Sequence, residues 1–212
     1  MKNAPRSCIC GMSSLLVRLF HAATWSNHPS ARQTHLPQQI RFDYNEPPDN
    51  ELVYYIKSRF QLWQVIISRP VLYHMAHRLD SDACQQRTTG ATTTLLENEP
   101  MELAKSIARH CISTSADIIL QYPYHHRHGG TWMACHGLFA QAMNILAAAL
   151  SLGQVELPPD WPEIVKVAHH VLLRWSQEAA DIDWMRTTLL HSFTAVCHRL
   201  QIQLGEDFWS NG

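Results

Sequence analysis

Between residues 98 and 204 the chain alternates apolar and polar positions at intervals of three and four, the spacing of helices that bury one face. The most apolar stretch runs from Thr131 to about Ser151 and has apolar residues on nearly every side, so it is expected to be a central helix covered all round. Thr131 is placed to cap it and Gly153 to terminate it. Before it, Ala104, Ile107, Ala108, Cys111, Ile112, Ser115, Ile118, Ile119 and Tyr122 define one face of a helix that begins near Pro100 and stops before Pro123. After it, Asp160-Trp161-Pro162-Glu163 reads as a capping box opening a helix with Ile164, Ala168, Val171, Leu172, Trp175 and Ala179 on one face. A last helix carries Ile182, Met185, Leu189, Phe193, Val196, Cys197 and Leu200, with Asp181 and Asp183 as its caps.

Upstream, Asp49 or Asn50 opens a helix whose apolar stripe is Leu52, Ile56, Phe60, Trp63 and Ile67. Pro70 removes an amide and clashes one turn back, so a kink or break is expected there, with helix resuming to about Arg78. Residues 80–98, with their Thr- and Gly-containing run, have the composition of a flexible loop. No window of strict alternation competes with these helical patterns. The expected fold is therefore all-α: an irregular multi-helix bundle around a central helix at about 131–151, in a domain spanning 49–204. Residues 1–48 read as an extended or poorly ordered leader with one short helical stretch, Met12 to Thr24, and 205–212 as a tail.

Charge narrows the range of functions. Seventeen Lys and Arg against eighteen Asp and Glu leave a net charge of −1, too balanced for a self-sufficient nucleic-acid or anionic-membrane binder. The first forty-two residues lack Asp and Glu but carry Lys2, Arg6, Arg18, Arg32 and Arg41, a bias shared with mitochondrial transit peptides. His136, Gln141 and Asn144 interrupt the central apolar stretch, which argues for a buried helix over a membrane span. Six cysteines, at positions 8, 10, 84, 111, 135 and 197, lack the paired spacing of a zinc ribbon or finger. Cys111, Cys135 and Cys197 fall on helical faces and read as buried thiols.

The histidines are the candidates for chemistry. His125, His126 and His128 cluster between Pro123 and the Gly129-Gly130 pair, and neutral imidazole is a common transition-metal ligand. The cluster lies in a loop and lacks a third or fourth ligand at a defined spacing, so loop histidines are the simpler reading. His74 with His77, His191 with His198, and the adjacent His169 and His170 read as surface or core-edge residues. Asp181 and Asp183 sit where two helices meet, and capping explains them better than acid-base catalysis. Phosphate loops, nucleophile elbows and dinucleotide fingerprints are missing from the sequence, so no residue is assigned a catalytic, cofactor-binding or metal-binding role, and no cofactor is expected. Trp63, Trp132, Trp161 and Trp175 fall on or beside apolar stripes and are expected in the core.

One ordered set of motifs remains: Arg69-Pro70-Val71-Leu72-Tyr73 ending a long helix, a helix with a mid-face cysteine, Arg127-His128-Gly129-Gly130-Thr131-Trp132, an Ala- and Leu-rich helix, Leu157-Pro158-Pro159-Asp160-Trp161, and Leu172-x-x-Trp175-x-x-Glu178-Ala179. In this order, over about residues 49 to 201, the chain resembles the regulatory middle homology region of fungal zinc-cluster transcription factors. The resemblance implies an all-α, non-enzymatic regulatory domain in the nucleus, with cytoplasm or mitochondrion as the alternative location. Its partners would be proteins of the transcription machinery, a dimer partner or a small-molecule effector. Cys8 and Cys10 do not match that family's six-cysteine DNA-binding cluster, so the chain resembles the C-terminal part of such a factor, and direct nucleic-acid binding is not expected. The competing reading is a small helical metal-dependent enzyme or effector-binding protein using His125, His126 and His128.

Overall fold

In a computed structural model, the structure describes residues 37, 41–43, 46, 48, 50–85, 98–122, 130–151, 153–205 and 208–209, with backbone alone at 77–85 and 98–100. Five helices follow in order: α1 (Glu51–Gln85), α2 (Asn98–Leu120), α3 (Thr131–Ala149), α4 (Trp161–Trp175) and α5 (Ala180–Leu200). There is no strand among the described residues, so the fold is all-α as the periodicity predicts. The chain divides into two compact units between Ser68 and Arg69, a point inside α1.

In the first unit, Asn50 caps α1 by accepting the Val53 amide at 3.0 Å. The buried positions are Val53, Lys57, Gln61, Val65 and Ser68, while Leu52 and Trp63 of the expected apolar stripe are exposed. Adjacent helical residues point about 100° apart, so the buried face lies one residue round from the one predicted. Polar side chains are what moved it. Lys57 is buried because its ammonium donates to the Glu46 carbonyl at 2.6 Å, and the Ser68 hydroxyl donates to the Gln64 carbonyl at 2.7 Å. A stripe read from apolar residues alone excludes such self-satisfied polar positions. Phe42 and Phe60 meet with ring centroids 6.5 Å apart.

The helix runs through Pro70 without a break and continues to Gln85, past the expected end near Arg78 and into the expected loop 80–98. Pro70 faces solvent, where water can take the carbonyl that its missing amide leaves free. The remainder of that loop, residues 86–97, lies outside the described residues.

In the second unit α3 packs against α2, α4 and α5, and α4 packs against α5 and α2. The central position of α3 follows from its sequence: Cys135, Leu138, Ala142, Ile145, Leu146, Ala148 and Ala149 are all buried. The predicted faces of α2, α4 and α5 are likewise the buried ones, through Ile107, Cys111, Ile112 and Ile119, through Ile164, Ala168, Leu172 and Trp175, and through Ile182, Met185, Leu189, Phe193 and Val196. Burying each large aliphatic or aromatic side chain contributes about 1.5–3 kcal/mol.

Polar residues of α3 are accommodated by pairing. Ser115 donates to Gln141 Oε1 at 3.0 Å, and Asn144 Nδ2 donates to Gln141 Oε1 at 3.1 Å and to Ser115 Oγ at 3.3 Å. Tyr73 reaches Asn144 Oδ1 at a long 3.5 Å. The other amide atom of Gln141, Nε2, is buried without a partner.

Helix ends depart from the expected capping. Gly130, not Thr131, is the N-cap of α3. Asp160 precedes α4 at φ −100°, ψ 20°, outside the extended region from which a side chain folds back to the first amides, so no capping box forms. Glu163 instead reaches forward to Lys166 at 3.6 Å. Beyond α3, Gly153 adopts φ +88°, a left-handed conformation that needs glycine, after Ser151 has bonded back to the Ala148 carbonyl at 2.6 Å.

Candidate functional site

The described polar groups converge most closely on Asp181. It sits in the first turn of α5, where the N-cap is Ala179 and no side chain caps the helix. The expected capping role is therefore replaced by a bridging one. Asp181 Oδ2 accepts a hydrogen bond from Trp132 Nε1 at 2.7 Å and lies 3.0 Å from His136 Nε2. Its other oxygen, Oδ1, accepts the Ile182 amide at 3.0 Å. The hydrogen bond from His136, with those from Trp132 and the amide, holds the Asp181 carboxyl below its ordinary value against a partial desolvation.

Trp132 and His136 share a face because they are four residues apart on α3, and their ring centroids lie 4.1 Å apart. Asp181 thus ties the start of α3 to the start of α5. Trp132, expected in the core, is 52% exposed, and Trp184, one turn along α5 from Asp181, is 62% exposed. Trp184 lies 6.1 Å from Phe139 between ring centroids, and Met133 is also exposed. The result is a polar clasp of Trp132, His136 and Asp181 beside the exposed Met133 and Trp184. Trp63 is exposed as well, so only Trp161 and Trp175 of the four expected core tryptophans are buried.

The clasp has the imidazole and carboxylate of an acid-base pair. The nearest thiol does not complete it as a nucleophile: burial, with a further push from Asp181, raises Cys135 to about 11, so it is a neutral thiol at physiological pH. Cys111, Cys135 and Cys197 are buried thiols that form no disulfide, as their helical positions predict. Its chemistry is suited to recognition: a donor and acceptor cluster framed by large aromatic surface.

The histidines singled out from sequence are dispersed. His125, His126 and His128 lie outside the described residues, as does the side chain of His77. His74, His191 and His198 are exposed, whereas His169 is buried and His170 half-buried. Among the described residues no three His, Cys, Asp or Glu side chains are grouped to hold a metal ion, and no described helix is long and apolar enough to cross a membrane. Sequence reasoning missed His136, whose partner is 45 residues away. Compared with family models, curated proteins and solved structures, the chain matches none.

Proposed function

We propose that this chain is a non-enzymatic regulatory domain that acts through protein contacts, of the kind its motif order resembles in fungal zinc-cluster transcription factors. The observation that carries the reading is the exposed pair of Trp132, held within the Asp181 clasp, and Trp184 beside it. Tryptophan is enriched where interfaces concentrate their binding energy, and the hydrogen bond to Asp181 fixes the Trp132 ring before any partner arrives. Partners are proteins of the transcription machinery or a second regulator chain, and the location is the nucleus.

The test tethers the full chain to a heterologous DNA-binding module beside a reporter gene and follows the tagged chain in the cell. A several-fold change in reporter output, lost in Trp132→Ala and Trp184→Ala variants that keep their helical content, is the expected result. An inert tethered chain, or one found exclusively in mitochondria or secreted, refutes the proposal.

A further inference from the structure

After α5 the chain reverses and returns over the α4–α5 face. Gln201 takes a left-handed conformation at φ 56°, the Ile202 amide closes on the Cys197 carbonyl at 2.9 Å, and the Phe208 amide bonds to Gly205 at 3.0 Å. Phe208 stacks on Phe193 at 5.6 Å between centroids, and Trp209 meets Phe193 edge-on at 5.2 Å. The Trp209 ring also lies 4.6 Å from the ring of His169, its carbonyl is 3.4 Å from His170 Nε2, and Lys166 Nζ sits 5.1 Å from the Phe208 ring.

Beneath this segment His169 is only 6% exposed, and neither of its ring nitrogens has a hydrogen-bond partner. A buried imidazole normally pairs at least one nitrogen, so the covered state leaves this ring short of bonds that water would supply. The aromatic contacts of Phe208 and Trp209 hold the segment down, and His169 works against them.

We propose that the segment around Phe208 and Trp209 is a releasable strap over the α4–α5 groove, and that proton uptake by His169 releases it. The charges facing His169 support this direction. They are His170 on α4 and Arg186 from α5, the latter 2.9 Å from Asp183; Lys166, three residues before His169 on α4, lies 3.6 Å from Glu163 and over the Phe208 ring. The strap's described residues bring only aromatic rings, and Glu206 and Asp207 lie outside the described residues. Burial, then His170 and Arg186, lowers His169 from 6.5 to about 4. The strapped form is therefore fully favoured above the ordinary histidine value and loses ground as the pH falls toward about 4, by at most ~tenfold in population per pH unit for one proton. Release gives both imidazole nitrogens to water and uncovers Phe193.

Solution NMR of the full chain from pH 7.5 to 4 tests the proposal through cross-relaxation between the Trp209 and Phe193 rings. The contact is expected to fade with the protonation of His169 while the amide resonances of α4 and α5 stay in place. His169→Gln and His169→Leu should keep the contact down to pH 4, and whichever retains native α4 and α5 amides serves. A Trp209–Phe193 contact that survives protonation of His169 overturns the proposal. So does an acid loss unchanged in a folded His169 variant, abolished by His170→Gln instead, or simultaneous with melting of α4 and α5.

Discussion

Gln141→Met replaces a fully buried amide at the middle of α3 with an apolar side chain of nearly equal length. Gln141 Oε1 accepts from Ser115 and from Asn144, and each such bond is worth about 0.5–1.5 kcal/mol net. Against these stands Nε2, a buried donor with no partner, which costs about 1–3 kcal/mol. Losing the bonds and the stranded donor together brings the balance to within about 1 kcal/mol of zero. Neither neighbour is stranded by the exchange: Asn144 Nδ2 keeps Ser115 Oγ at 3.3 Å, and the Ser115 hydroxyl can turn to a carbonyl one helical turn back. Urea unfolding followed by far-ultraviolet circular dichroism measures the difference, with Tm as a second reading at roughly 2–4 °C per kcal/mol for a chain of this size. Gln141→Ala provides the scale, because it removes the side-chain volume as well and should fall about 2–5 kcal/mol below the Met variant. A loss of more than about 2 kcal/mol in Gln141→Met would refute the reasoning, since it would mean that Nε2 does have a partner in the folded chain.

Two further outcomes follow from local geometry. Gly137 lies inside α3 with nothing within 4 Å of the place where a Cβ would stand, so Gly137→Ala should raise stability by about 0.5–1 kcal/mol in the same urea assay. Asp181 is held below its ordinary carboxyl value by His136, Trp132 and the Ile182 amide, so its contribution is complete above that value and is lost as pH falls through the depressed one. Asp181→Asn should therefore unfold at lower urea at pH 7 but show a flatter decline between pH 5 and about 2, a difference that urea midpoints across that range would reveal.

Most of the fold was legible because α2, α4 and α5 each bury a face made almost wholly of apolar residues, and a spacing of three and four is all that such a face requires. The first half of α1 was misread where Lys57, Gln61 and Ser68 take buried positions; for Lys57 and Ser68 the satisfaction comes from backbone carbonyls that periodicity does not register. Gly137 has open space where a Cβ would stand, so a small residue on the central helix permits close packing without enforcing it. The candidate site was the least legible part. Trp132 and His136 looked like core and filler on an apolar helix, and Asp181 looked like a cap; their meeting depends on how α3 and α5 cross, which no local window contains. His169 illustrates the same limit in reverse, because what buries it is Trp209, forty residues on.

The proline within α1 has a meaning beyond tolerance of a missing bond. Ser68-Arg69-Pro70 has the order of a helix beginning, with serine at the cap and proline in the first turn, where its absent amide is no loss and its fixed φ is already helical. The division between the two compact units falls between Ser68 and Arg69. The lower half of α1 thus carries its own initiation signal, hidden inside a longer helix. The second unit can nucleate its leading helix at Pro70 without waiting for the turns above it, so the order in which the chain acquires structure need not follow the order of its residues.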